Sequence, residues 1–317
     1  MTMSNILITG AHGFIGKYLA RWFARQGHQV AGLGHGIWPN EEAASWGVTR
    51  WLNGDIQSGN LRLLQQAGGT PDMVYHLAGG SSVGVAIANP REDFFRTVAT
   101  TAELLEWMRV DAPQAQLVAV SSAAVYGSGH DGSITEDAPL TPFSPYGHHK
   151  RIMEELCRSY AASYGLRVSI ARLFSVYGAE LKKQLLWDMC VRLAAGRQPL
   201  VLGGSGNELR DWTDVRDVVR ALDLLSAQAS AEVVTINVGT GTGCSVQQIA
   251  SSIVRHWPLP DAGEALHFSG QSRPGDPFSL VANASRLNKL GFVWEVPVED
   301  GLAAYVRWFQ DQSEAPQ

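Results

Sequence analysis

The sequence predicts an α/β fold: a doubly wound parallel sheet with a smaller C-terminal α+β lobe. Three observations predict it. Short apolar runs alternate with amphipathic stretches through the first half of the chain. The runs show little polar alternation, as strands covered on both faces do. A three-glycine turn follows the first run and opens the first helical stretch. With 317 residues, 45% of them apolar and 17% charged, the chain has the balance of a globular protein with a real core.

The expected strands are Ile6–Thr9, Val30–Leu33, Met73–Leu77, Leu117–Ser121 and Val168–Arg172. Between them lie helical patterns at Gly16–Gln26, Phe94–Arg109 and Tyr146–Tyr164. In the last, Met153, Leu156, Tyr160 and Tyr164 recur at helical spacing and Gly165 stands at the expected stop. After Gly178 the rhythm changes to helices at Lys183–Ala195, Val215–Ala227, Val246–His256 and Val298–Gln310, joined by loops rich in Gly or Pro. Val233–Val238 reads as a further buried strand returning to the first sheet. The expected division is a dinucleotide-binding domain over 1–178 and a substrate lobe over 179–317, ending in a polar tail.

Charge and cysteine usage exclude several classes. With 25 Lys+Arg against 30 Asp+Glu the formal charge is −5, and no basic run is present, which argues against a nucleic-acid or membrane partner. No stretch approaches the roughly 18 apolar residues of a membrane helix. The N-terminus enters a strand directly and lacks the regions of a signal peptide, so a cytoplasmic location is expected. Cys157, Cys190 and Cys244 stand far apart without CxxC spacing, so free thiols are expected, and neither a disulfide framework nor a metal site.

The turn Gly10-Ala-His-Gly13-Phe14-Ile15-Gly16 sits between a strand and a helix. Glycines there permit a tight turn, backbone approach to a pyrophosphate and close helix–strand packing, and the helix N-terminus offers N–H groups to the phosphates. A free ribose 2′-OH usually meets a carboxylate at the end of the second strand. Here that place holds Gly34 and His35. The missing carboxylate favours NADP(H), with His35 and His12 as donors to a 2′-phosphate; NAD(H) is the alternative.

Tyr146-Gly-His-His-Lys150 opens a helix and puts Tyr146 and Lys150 on one face, while Ser121-Ser122 ends a strand at the edge where ligands bind in such sheets. A phenol beside an ammonium and a cationic nicotinamide is expected to have a lowered pKa and to exchange a proton with a sugar oxygen, held by a serine hydroxyl. His148 and His149 read as helix-surface or supporting residues. Trp187 and Trp212 read as packing.

Taken together, GAHGFIG at 10–16, GDI at 54–56, HLAGGSSV at 76–83, SSAAVYG at 121–127, SPYGHHK at 144–150, RLFSVYG at 172–178, LRDWTDVRDVV at 209–219, INVGTG at 236–241 and RPGDP at 273–277 resemble the extended short-chain dehydrogenase/reductase family, in its nucleotide-sugar epimerase/dehydratase/reductase branch. The resemblance covers nearly the whole chain and implies a Rossmann sheet. It implies Ser122, Tyr146 and Lys150 as the catalytic residues, Asp55 and Ile56 near the adenine, and Leu77, Ala78 and Gly79 along the cofactor, with Lys150 on the nicotinamide ribose. It further implies a nucleotide-diphosphate sugar substrate, with Ser82 and Ser175 near it, Gln184 by the nucleotide, Arg210 and Arg273 on the phosphates and Asp276 near the ribose. A homodimer through the helices at Phe94–Arg109 and Tyr146–Tyr164 is implied as well. Without the resemblance, Arg210 would read as paired with Asp211 or Asp214, and Arg273 with Asp276.

Departures from the family pattern narrow the reaction. Its dehydratases carry Asp-Glu after the catalytic hydroxyl residue, where Ala123 and Ala124 stand here and can move no proton. A 4,6-dehydratase is therefore disfavoured. Thr97 and Ser175 replace two asparagines of the pattern. The expected activity is an NADPH-dependent 4-keto-sugar reductase, with an NAD-dependent 4-epimerase as the alternative and a non-catalytic dinucleotide sensor as the non-enzymatic one.

Overall fold

A computed structural model of the chain describes residues 3–130, 132–197, 199–257, 266–271 and 278–314. Strands β1 (Asn5–Thr9), β2 (Gln29–Gly34), β3 (Arg50–Asn53), β4 (Met73–His76), β5 (Gln116–Ser122) and β6 (Arg167–Leu173) lie in one sheet. Two short strands, β7 (Ser175–Tyr177) and β8 (Leu200–Leu202), and then β9 (Leu209–Asp214) belong elsewhere, before β10 (Val234–Val238) returns to pair with β6. The sheet order is β10-β6-β5-β4-β1-β2-β3, and every pairing in it is parallel.

The apolar runs explain this layering, because each central strand is covered twice. On one face Leu19, Ala20 and Phe23 of α1 (Phe14–Arg25) pack with Val218, Leu222 and Leu225 of α9 (Val215–Ser226). The six-residue α2 (Asn40–Ser45) lies near that side. On the other face Leu61 and Leu64 of α3 (Ser58–Gly68) meet Leu104 and Met108 of α6 (Thr100–Asp111) and Met153 and Cys157 of α7 (Pro145–Tyr164). The chain turns opposite ways after β1 and β4, which are neighbours, so the crevice at their carboxyl ends is the switch point where such sheets bind ligands.

The remaining elements form the second cluster: α8 (Gln184–Ala194), α10 (Val246–His256) and α12 (Val298–Glu314) enclose Met189, Ile253, Tyr305 and Phe309. Here β9 pairs with β7, β11 (Gly243–Ser245) and β13 (Ser279–Leu280), while β8 pairs with β12 (Leu266–Phe268). A short α11 (Ser285–Lys289) follows. No helix among the described residues is long and apolar enough to cross a membrane.

Two features depart from the sequence reading. The edge strand β3 was not expected, since its Arg-Trp-Leu-Asn is short, half-buried and neither a continuous apolar run nor an alternation. The helix expected from Phe94 to Arg109 is three pieces: α5 (Pro90–Phe94), a widened π-type turn over Phe95–Ala99, and α6. Short α4 (Val83–Ala88) precedes it. π-type turns cluster at functional sites, and this one abuts the switch-point crevice.

Candidate active site

The glycine loop folds as a cradle with no room for side chains. A Cβ on Gly16 would stand 2.3 Å from the carbonyl oxygen of Gly10, and one on Gly13 3.1 Å from the same atom. Gly10 has φ +75°, and a Cβ there would touch the backbone nitrogen of Ala78 at 3.0 Å. Its N–H donates to the carbonyl of Leu33 at 2.7 Å, tying the loop to β2. Gly13 begins α1 without a side-chain cap, so the first-turn N–H groups of Phe14, Ile15 and Gly16 face the crevice for an anionic ligand. A backbone free of side chains at a helix N-terminus lets a pyrophosphate approach closely, and the residues present fit one.

The end of β2 meets a carboxylate from another loop. Nε2 of His35 lies 3.1 Å from Oδ1 of Asp55, and both side chains are exposed. A carboxylate absent from the strand is thus brought beside its end by the loop after β3. Ile56 is buried next to Asp55. His12 is stacked on Trp38 with centroids 4.7 Å apart and meets Trp51 edge-on. Gly34 packs against Trp51 and Gly10.

Helix α7 brings Tyr146 to Ser122. Ser144 caps the helix by accepting from the N–H of Gly147 at 3.2 Å, and Pro145 occupies its first turn. Lys150, one turn on, is buried and donates to the carbonyl of Val120 at 2.9 Å. Ser121 donates to Glu154 at 2.6 Å, and Glu154 clasps Arg172 through contacts of 2.9 and 2.7 Å. The end of β5 is therefore pinned to α7 on consecutive residues. Ser122 accepts from the N–H of Ala124 at 3.2 Å, and its hydroxyl acts to lower the Tyr146 phenol.

The electrostatics differ from expectation in one respect. The pattern predicts a phenol lowered by Lys150; burial instead raises the Tyr146 phenol above its ordinary value, the Ser122 hydroxyl opposes this, and Asp93 adds to the rise. Burial also brings the Lys150 ammonium down to about 8, opposed by the charges of Asp93 and Glu154. Asp93 was missed by the sequence reading. It is buried, and its Oδ2 lies 2.5 Å from Nδ1 of His149, which takes that residue off the helix surface.

Leu77, Ala78 and Gly79 run from β4 along the crevice, half-buried, with Gly79 over the Lys150 side chain. Thr97, in the π-type turn, accepts from the N–H of Gly80 at 2.8 Å. Ser82 begins α4 and Ser175 begins β7, both half-buried. Gln184 starts α8 at φ +66°. Next to it, Lys183 donates to Ser81 at 2.7 Å across the crevice, a link the sequence did not suggest. Arg210 donates to the backbone carbonyls of Leu209 and Phe278. The carboxylates suggested as its partners are engaged elsewhere: Asp211 accepts from Thr240, Gly241 and Ala282, and Asp214 holds Arg216. Arg273 and Asp276 lie outside the described residues.

The cysteines are free, with Cys157 and Cys190 buried and Cys244 half-buried. Among the described residues no cluster of His, Cys, Asp or Glu could hold a metal ion. Ala123 and Ala124 follow Ser122 in a short turn, with no proton donor between them.

Comparison with known proteins agrees with this geometry. The model of the NAD dependent epimerase/dehydratase family matches residues 6–239. A UDP-glucose 4-epimerase of Azospirillum brasilense is 30% identical, the match covering 96% of this chain and 90% of that one. The solved structure of MoeE5 in complex with UDP-glucuronic acid and NAD is 30% identical with a TM-score of 0.85, over 97% of this chain and 99% of that one. The Thermus thermophilus UDP-glucose 4-epimerase complex with NAD is 26% identical with a TM-score of 0.85, over 96% and 99%. The chain belongs to the NAD dependent epimerase/dehydratase family, in the nucleotide-sugar branch of the extended short-chain dehydrogenases/reductases, and is an NAD(P)-dependent enzyme of that branch rather than one of its dehydratases.

Proposed function

We propose that the protein is an NAD-dependent nucleotide-sugar 4-epimerase with Tyr146 as its acid–base group. The observation that carries this reading is the docking of α7 on the carboxyl end of β5, where buried Lys150 donates to Val120, Ser121 donates to Glu154, and Tyr146 stands one helical turn before Lys150 at the end that Ser122 closes. The reductase reading rested on a strand end without a carboxylate, and Asp55 beside His35 removes that ground. The relatives' names and the NAD in solved neighbours support NAD over NADP, and epimerisation over net reduction.

In this reading the glycine cradle and the start of α1 hold the pyrophosphate, Asp55 and Ile56 bound the adenosine, and Leu77, Ala78 and Gly79 line the remaining length. Lys150 holds the nicotinamide ribose. NAD bound there would supply a reversible hydride acceptor for the sugar C4. Tyr146 accepts the proton of the 4-hydroxyl and gives it back to the new epimer, while Ser122 holds the same oxygen. Ser122 opposes the rise that burial imposes on the phenol, and positive charge brought beside it would lower it further. Ser82 and Ser175 face the sugar, and Gln184 and Arg210 the nucleotide diphosphate.

A second copy completes the molecule in this reading. Phe94, Phe95 and Ile152 are exposed apolar side chains on the adjoining α5, π-type turn and α7, and they form the face for a homodimer.

The test is to give the purified protein and NAD a UDP-hexose. Appearance of its C4 epimer with no net change in nicotinamide absorbance supports the proposal. Turnover only with NADPH and a 4-keto sugar overturns it.

A further inference from the structure

Asp93 has no task in the mechanism above, yet it is among the most enclosed charged groups near it. Its side chain is 5% exposed and that of His149 13%. A buried carboxylate is costly unless donors and opposite charge compensate. Here Oδ2 meets Nδ1 of His149 at 2.5 Å, and Oδ1 lies under the loop that follows β4, where a Cβ on Gly80 would come within 1.8 Å of it. The preceding residue, Gly79, crosses the Lys150 side chain: a Cβ there would stand 3.2 Å from Nζ. Two consecutive glycines thus cover the ammonium and the carboxylate. Thr97 fixes that backbone by accepting the Gly80 N–H.

The groups facing Lys150 leave Asp93 as its counter-charge. From β4 it faces His76, which burial keeps neutral down to about 3. From its own helix it faces Cys157, which burial holds as a thiol, pushed up to about 12, and Glu154, which is claimed by the guanidinium of Arg172. From α5 the charge of Asp93 acts on it across the Gly79–Gly80 cover, and the one side-chain hydrogen bond of Asp93 among the described residues is with His149. Asp93 is also felt by Tyr146.

We propose that Asp93 is a positioning residue: oriented by His149, its carboxylate is the counter-charge that keeps Lys150 an ammonium beside Tyr146. Its consequence for turnover rests on the acid–base reading proposed for Tyr146, whereas the charge relationship does not.

The experiment follows the ε-carbon of Lys150 by NMR against pH in full-length protein with isotope-labelled lysine, assigned with Lys150→Arg, in the absence of any sugar. The expected wild-type midpoint is about 8 or higher. Asp93→Asn, and independently Asp93→Ser, should lower it by about one pH unit or more. An unmoved midpoint in either folded variant overturns the proposal. Should neither variant fold, the wild type decides, because a Lys150 already neutral at pH 7 overturns it and an ammonium there upholds it. With UDP-glucose and NAD, the alkaline limit of kcat should move to lower pH by the same interval in Asp93→Asn while KM stays within a few-fold. A purely structural role would lower kcat at every pH without moving that limit. A wild type that epimerises nothing at any pH would refute the proposed function and leave the titration result standing.

Discussion

Gly147 meets Ala124 where α7 docks on the turn after β5: a Cβ on Gly147 would stand 2.5 Å from the Ala124 carbonyl oxygen. That approach is what sets Tyr146 against Ser122, since the two residues flank the contact. Gly147→Ala must push the helix start away by a fraction of an ångström or more. We expect a stability loss of about 1–3 kcal/mol and a fall in kcat approaching 10²-fold, with NAD affinity nearly unchanged. Thermal unfolding and steady-state kinetics would show both.

Tyr146→Phe keeps the ring and removes the proton carrier. Turnover should fall by roughly 10²-fold or more, the scale of lost acid–base catalysis, and dinucleotide affinity should hold within a few-fold. A variant turning over within a few-fold of wild type would remove Tyr146 from the reaction.

The pairing of His35 with Asp55 makes a prediction about cofactor choice. Titration by quenching of tryptophan fluorescence should show NAD binding more tightly than NADP, and Asp55→Ser should narrow the gap by relieving repulsion of the 2′-phosphate. NADP binding as tightly as NAD in the wild type would restore the preference that the strand end alone suggests.

The strands of the main sheet were legible because burial on both faces leaves a run of apolar residues that needs no partner to be recognised. Ile6–Thr9 and Val168–Arg172 are examples. β3 was not, because an edge strand with half-buried Trp51 and Leu52 carries neither a continuous run nor a long alternation. Local patterns likewise identified Tyr146, Lys150 and the glycines, whose spacing is fixed by one turn of chain. Asp93 and His149 are 56 residues apart, and the pattern of neither helix announces their contact. The Glu154–Arg172 clasp was hidden for the same reason, since two residues on a helix and the following strand read as ordinary surface charges until burial is known.

His76 predicts an acid weakness. It is fully buried between the hydroxyls of Thr9 at 2.7 Å and Thr101 at 2.9 Å, and burial lowers its pKa to about 3. Below its ordinary 6.5 the unfolded chain takes up a proton here that the folded chain does not. This contribution to stability is therefore complete above pH 6.5 and declines as pH falls towards 3. Denaturant unfolding between pH 6.5 and 4 should show a slope shallower by up to about 1.4 kcal/mol per pH unit in His76→Gln than in wild type.

The proposed homodimer face predicts a change of mass. Ile152 on α7 is 40% exposed, and Phe95 in the π-type turn 47%. A charge there would be buried between two copies, so Ile152→Glu should convert a dimer to a monomer in light scattering while the monomer stays folded. A wild type that is monomeric at micromolar concentration would contradict the assignment.

The most direct test of the central claim uses a UDP-hexose carrying deuterium at C4. If hydrogen leaves C4 and returns within the same crevice, the epimer formed by the protein with NAD retains the label, and Tyr146→Phe forms little of it. Loss of the label to solvent, or product formed only with added NADPH, would contradict a 4-epimerase built on Tyr146, Ser122 and Lys150.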